Sequence, residues 1–406
     1  MVSAPIKKRS KWSERVSSTP IICEVQAKSF RIGKRGQYDL NSEDRQDNLP
    51  KLTADSKYFR RFGRWKVVIF LLFLVLLVAI EFSLIMGAMP ISPLEANRII
   101  IRELPIIGSF VGENPSPIEA TIVLQVRLPR VLAGAVVGAA LAVAGVVLQG
   151  LLRNPMADPY TIGVSAGASL GASLLIAFGV GISYGGFLYS LPITAFVFAL
   201  ATVLVVYAVA RTGQGVSMLT LLLVGVAVNT LLLSMIAIVG IVSGEALNVI
   251  MTWLFGSLVA VNWNQVLVVF PLVVIGILVS IIFARDLNMM AIGEEGALHL
   301  GVNPERLKNI LLISATLITA AVVSISGTIG FVGLIIPHIV RILVGSDNRV
   351  LIPASALMGA IMLVLCDTMA RTILAPSELP VGIFTSVLGC PFFIYLLKKN
   401  RKRTPW

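Results

Sequence analysis

Long apolar runs alternate with short polar stretches from about residue 67 to residue 397. A bilayer core of about 30 Å takes roughly 20 apolar helical residues to cross. Runs near that length are Val67–Gly87, Val131–Leu152, Gly163–Val180, Ser190–Ala210, Ser217–Val242, Trp263–Phe283, Asn309–Gly327, Ile329–Val344, Leu351–Thr372 and Val381–Leu397. The pattern predicts an all-α polytopic membrane protein with about ten transmembrane helices over residues 66–403. Residues 1–65 mix Lys, Arg, Ser, Asp and Gln with no sustained period, and are expected to form a disordered or loosely surface-bound tail.

Basic residues in short loops set the orientation. With the N-terminus inside and ten alternating spans, inside segments receive Arg153, Arg211, Arg285, Arg306, Lys308, Arg341, Arg349 and the basic C-terminal tail. Outside segments receive only Arg98, Arg102, Arg127, Arg130 and Arg371. The N-in, C-in arrangement follows. The outer loop Met89–Gln125 carries five prolines and reads as a structured or extended cap. A short outer helix is expected within Glu245–Leu258. The inner loop 284–308 reads ARDLNMMAIGEEGALHLGVNPERLK, and its middle, Gly293–Leu300, is expected to form a short helix bounded by Gly301 and Pro304.

Composition agrees with the pattern. The 406 residues are 56% hydrophobic and 13% charged, against about 45–50% and about 25% in soluble domains. The net charge of +12 is local, because residues 1–66 hold 16 of the 33 basic side chains and 7 of the 21 acidic ones. A cytoplasmic tail lying beside an anionic leaflet accounts for that excess without nucleic acid. The start, MVSAPIKKRSKWSERV, has no apolar core of a signal peptide.

The sequence contains no phosphate loop, HExxH, CxxC or GxSxG, and its two histidines, His299 and His338, stand in single contexts. No catalytic constellation, metal site or cofactor motif assembles, and an enzyme is not expected. Cys366 and Cys390 lie in apolar runs, where a thiol packs as a small hydrophobe. Charged groups within spans are few: Glu81, and Asp367 four residues before Arg371. That spacing puts Asp367 and Arg371 on one helix face as an intramembrane ion pair. Gly134/Gly138 and Gly163/Gly167/Gly171 repeat every four residues and let neighbouring backbones approach. Tight packing within one subunit and a subunit seam both fit that spacing.

Two segments carry a resemblance. RLPRVLAGAVVGAALAVAGVVLQGLLRNPMADPYTIGVSAGASLG, residues 127–171, resembles the signature of FecCD-type permeases of ABC importers. So does GFVGLIIPHIVRILVGSDNRVLIPASALMGAIMLVLCDTMARTILAPSELPVGIFTSVLGCPFFIYLLKK, residues 330–399, with AIGEEGALHLGVNPERLK between them. The resemblance runs from about residue 67 to 403 and leaves the tail aside. It implies a cobalamin-permease-like, ten-helix subunit, present twice as a homodimer or a heterodimer with a paralogous permease, around one translocation path. ABC ATPase subunits would dock below, and a periplasmic or lipid-anchored substrate-binding protein above. Cargo would be a ferric siderophore, ferric citrate, haem or cobalamin. The location implied is the plasma membrane of a bacterium, the cell inner membrane if Gram-negative, with membrane lipid as surroundings.

Residue roles follow from the same resemblance. Arg127, Arg130 and Arg371 would meet glutamates of the binding protein, though arginines at such positions also snorkel towards lipid phosphate. The segment Ile292, Gly293, Glu294, Glu295, Gly296, Ala297, Leu298, His299, Leu300 and Gly301 would be the coupling element seated in the ATPase. The turn Gly213–Leu221 would close the path on the cytoplasmic side, with Ser217 and Thr220 as gate residues. A secondary transporter or channel working without ATP, and a membrane scaffold whose tail recruits partners, remain alternatives at this point.

Overall fold

The computed structural model describes residues 54–87, 89–103, 116–179, 187–212 and 215–400. Most of the expected tail, the middle of the outer proline-bearing loop, and Gly213 lie outside the described residues. The compact unit that carries the spans is Phe59–Trp406.

The first span, α1, is Ala54–Ile85. It begins inside the segment expected to be an unstructured tail, because no proline interrupts residues 54–66 and an established helix extends at little cost per residue. In the outer loop α2, Pro93–Arg102, is started by Ser92, whose side chain accepts a hydrogen bond from the Glu95 amide. Next come α3, Pro117–Thr121, one widened π-helical turn at Ile122–Arg127, and α4, Leu128–Leu151. Pro129 has no amide to donate one turn back, so the ladder widens instead of continuing evenly.

The chain continues through α5, Val164–Phe178, and α6, Phe187–Ala210. Two residue pairs, β1 (Arg211–Thr212) and β2 (Gly215–Val216), make a small antiparallel hairpin with Arg211 opposite Val216. After it run α7, Met218–Val242, the outer helix α8, Leu247–Leu254, and α9, Trp263–Ile282. Asn262 and Gln265 form a capping box at the start of α9. On the inner side lie α10, Ala284–Met290, and α11, Glu294–His299. The chain ends with α12, Pro304–Ser326, α13, Val332–Val344, α14, Asn348–Thr372, and α15, Val381–Asn400.

Among the described residues, seven helices are long and apolar enough to cross a membrane, and three shorter apolar helices accompany them. The sum agrees with the ten expected spans. The start of α12 lies five residues before the expected Asn309, because the Asn303 side chain accepts from the Arg306 amide and Pro304 fits the first turn. The expected outer helix within Glu245–Leu258 is α8, preceded by a 3₁₀ turn at Gly244–Ala246.

Packing separates the spans into two kinds. In the most apolar stretches of α4, α12 and α14, 78%, 72% and 67% of residues are buried; in α7 and α1 the shares are 11% and 17%. The inner set is held by small residues. A Cβ on Gly138 of α4 would lie 2.2 Å from the Gly359 carbonyl oxygen of α14, and one on Gly359 2.3 Å from the Gly138 carbonyl. The two backbones touch there with no side chain between them. Of the sequence-noted glycines, Gly167 and Gly171 press against α6 at Thr202 and Phe198. These contacts lie within one subunit.

Candidate functional site

Three polar places stand out in an apolar molecule: one at each end and one between. At the outer end, the last turns of α1 and α14 meet the start of α4. Arg127, Arg130 and Arg371 are all buried there. Arg127 donates to the carbonyls of Leu84, Ile85 and Met89. It thus closes the C-terminal turn of α1, whose last carbonyls have no helical partner. Arg130 grips Asp367 in a fork, with Nε 3.0 and 3.1 Å and Nη2 2.9 Å from the carboxylate oxygens, and its Nη1 lies 2.8 Å from Glu378 Oε2. Arg371 donates to the carbonyl and the hydroxyl of Ser83.

This arrangement extends one expectation. Asp367 lies on one helix face with Arg371 and pairs with its Nε at 3.8 Å, while the planar fork of Arg130 holds the carboxylate more closely. Bidentate geometry, supplied by a helix crossing α14, outcompetes the flexible pairing at i,i+4. The three arginines expected to meet glutamates of a binding protein are buried here and turned onto partners of their own chain. Glu81, the other intramembrane acid, accepts from Asn97 of α2 at 2.7 Å. Glu378 and Ser83 were not singled out from the sequence, because nothing in their local spacing points at Arg130 or Arg371.

At the inner end, α11 forms as expected within Gly293–Leu300. Gly293 precedes it with φ 123°, Gly301 follows with φ 85°, and Ala297 is fully buried beneath it. Ile292, Leu298 and Leu300 are left 72%, 57% and 56% exposed. Glu294, in the first turn, reaches Lys308 Nζ at 2.7 Å and lies 3.6 Å from Arg153 Nη2. Lys308 Nζ also lies 2.9 Å from Glu305 Oε1, and the other Glu305 oxygen accepts from the Val216 amide at 3.1 Å. The residues expected to form the gate stand next in line: Ser217 caps α7, its Oγ accepting from the Thr220 amide at 3.3 Å and the Thr220 hydroxyl at 2.9 Å. A cavity of about 530 Å³ adjoins the cluster, lined by Arg153, Ser217, Glu294, Glu305 and Lys308 among others. Ser217 opens onto it, whereas the Thr220 hydroxyl turns back onto Ser217. Lys308 went unnoticed in the sequence as anything but an inside charge; its spacing of three from Glu305 was the available signal.

The third place lies between the ends. At 1.5 Å per residue, the 15 residues of α5 and the 13 of α13 extend only about 22 Å and about 20 Å, short of a bilayer core. The turns before them therefore dip inwards, one from each side. They meet where the Tyr160 hydroxyl donates to the Ile329 carbonyl and accepts from the Ile329 amide, both at 2.9 Å. Asn229 of α7 donates to the Tyr160 carbonyl at 2.9 Å. A cavity of about 640 Å³ opens beside this junction, lined by Asp158, Tyr160, Ser165, Ser169, Asn229 and Thr328 together with apolar residues of α7, α8 and α13. Irregular backbone at such depth is stable where it is packed in protein or lines a polar cavity. No group of three or more metal-ligating side chains converges among the described residues.

A bundle of this kind, with buried charge at both ends and two short helices whose entry turns meet beside a cavity, is a helical membrane permease. The FecCD transport family matches residues 74–399, and the chain belongs to that family. It is 38% identical over 282 residues to the hemin transport system permease HmuU of Yersinia pestis, covering 69% of this chain and 84% of that protein. It is 36% identical over 338 residues to the iron(3+)-hydroxamate import system permease FhuG of Bacillus subtilis, covering 82% of this chain and 97% of that one. A solved ABC transporter of metal-chelate type, in an inward-facing conformation, superposes with a TM-score of 0.70 at 32% identity, covering 82% of this chain and 99% of its counterpart. The chain is a transport permease, and its setting is a membrane.

Proposed function

We propose that this chain is the membrane-spanning subunit of an ATP-driven importer and that, with a second copy or a paralogue, it encloses the path of a ferric siderophore or related metal chelate. Energy comes from a separate ATPase subunit on the cytoplasmic face, and a binding protein delivers cargo to the outer face. The location is the plasma membrane of a bacterium. The observation that carries this reading is α11. Its buried Ala297 anchors a short helix that leaves Ile292, Leu298 and Leu300 open on a face otherwise crowded with charge. An apolar knob with a rigid base suits a cleft in a partner, and a rigid short helix passes on a rigid-body push.

The cargo assignment is supported by relatives named for iron(3+) hydroxamate, iron(3+) citrate and haem import. Arg127, Arg130 and Arg371 enter this reading as the frame of the outer rim beneath the binding protein, with half-exposed Glu378 as the charge nearer the surface. The test is Leu298→Glu. It places a charge on the apolar knob, and should abolish co-purification of the ATPase and iron–chelate uptake while the permease remains monodisperse. Undiminished ATPase association would refute the role given to α11.

A further inference from the structure

The seat of α11 and the entry to α7 are far apart in sequence, yet three hydrogen-bonded steps join them. Glu294 on α11 holds Lys308 at 2.7 Å, Lys308 holds Glu305 at 2.9 Å, and Glu305 accepts from the Val216 amide at 3.1 Å. Val216 immediately precedes Ser217, the cap of α7. We propose that Lys308 is a positioning residue that ties α11 to the Gly215–Ser217 turn, so that displacement of α11 is passed to α7. The inference rests on the permease reading above and names the route by which that reading's push reaches the gate.

Three independent features favour a transmitting link over a passive staple. The first is asymmetry of burial: the Lys308 side chain is 4% exposed, but Glu294 and Glu305 are 44% and 40% exposed. The cation is fixed in the packed helix α12, while each carboxylate has solvent on one side and can shift. The second is direct packing of the turn on the relay. A Cβ on Gly215 would lie 2.2 Å from Glu305 Oε2, and Gly215 has φ 122°, a conformation glycine adopts without strain. Glu305 therefore lies directly against the backbone of the turn and is hydrogen-bonded to it through the Val216 amide. The third is the mechanical contrast between the elements joined. In α12, 72% of the most apolar stretch is buried, against 11% in α7, and the 530 Å³ cavity beside Ser217 leaves space for the turn to enter. Arg153, 3.6 Å from Glu294, brings the end of α4 to the same point and supplies a half-exposed counter-charge.

The experiment uses the full chain, with Cys23, Cys366 and Cys390 replaced by Ala and a spin label on Leu219→Cys, reconstituted with the ATPase that co-purifies with it. The readout is the change in label mobility on α7 between nucleotide-free and ATP–vanadate states, alongside ATP hydrolysis. With wild-type Lys308 the two states differ. In Lys308→Met the state ratio should fall about tenfold, a typical site-to-site coupling, while ATPase association and hydrolysis persist. Lys308→Arg should restore most of the difference. Glu305→Gln keeps an acceptor for the Val216 amide but loses the charge, should give an intermediate value, and carries the test if Lys308→Met fails to assemble. An unchanged nucleotide response in both variants overturns the relay and leaves the permease reading standing. A wild-type protein whose α7 ignores nucleotide altogether overturns both.

Discussion

At the outer end, three buried guanidinium groups converge on one buried carboxylate and a set of backbone carbonyls. At the inner end, one buried ammonium group is shared by two carboxylates that remain about half exposed. The outer cluster is closed: the fork of Arg130, the carbonyls capped by Arg127 and the Ser83 contacts of Arg371 fix α1, α4 and α14 in one geometry. The inner cluster is open on its acidic side, and it spans elements of very different burial. At the outer end only Glu378, at the edge of the cluster, keeps a face to water. A charge that must change partners keeps one face wet.

The largest effect should come from breaking the outer cluster. Arg130→Ala leaves Asp367 buried without its main partner, a defect that typically costs about 3–5 kcal/mol. Subunit assembly and Tm in detergent should both fall. A docking role for exposed arginines makes the opposite forecast, loss of binding-protein affinity with assembly intact, and measuring both separates the two. The double variant Arg130→Gln with Asp367→Asn removes the charges together and should recover a large part of the lost Tm.

Next in size is the inner counterpart. Lys308→Met leaves two carboxylates that water can reach, so its stability loss should be no more than about 1 kcal/mol, the scale of exposed ion pairs. If Tm drops as far as in Arg130→Ala, the contrast between closed and open clusters is wrong. A third measurement needs no mutation. Raising salt from 0.1 M to 1 M shortens the screening distance from about 10 Å to about 3 Å. Hydrogen exchange should therefore speed up around α11 and the Gly215–Ser217 turn, with the start of α4 unaffected.

The smallest effect concerns Asp347, which caps α14 at the inner face and is gripped by Arg349 at 2.6 Å. Hydrogen bonds from Arg349, and from Asn288 behind it, hold its carboxyl down at about 2, below the usual carboxylate range. A depressed folded value means that the cap's contribution is fully present above the unfolded value, near 4, and is lost as pH falls towards 2. Exchange at the first amides of α14 should be flat from pH 7 to about 4, after intrinsic correction, and rise below it. Asp347→Asn should abolish that rise.

The ten spans, the short helix around Ala297 and the outer helix near Leu247 were legible from the sequence, because each is written in contiguous residues. Apolar run length, flanking Gly and Pro, and the bias of basic loops are local signals. What could not be read is pairing across the chain. Asp367 and Arg371 share a helix face, and only the crossing of α4 brings Arg130, 237 positions away in sequence, into better geometry. Arg127 likewise reaches the unsatisfied carbonyls at the end of α1, 42 and 43 positions back, a pairing that no local spacing announces. The early start of α12 was missed for a different reason. Asn303 and Pro304 are start signals, but the charged first turn hid them behind a hydropathy criterion.

The backbone contact between Gly138 and Gly359 has a mechanical consequence. Side chains between two helices act as bearings that let one slide past the other by changing rotamer, and at this point of α4 and α14 backbone meets backbone instead. α4 and α14 are keyed together like two notched beams, so a relative slip of even a fraction of a turn would drive one carbonyl into the other. The contact stiffens the pair against relative sliding. In the relay proposed above, that stiffness sets how much of each push is left for α7, which keeps only 11% of its most apolar stretch buried within the chain.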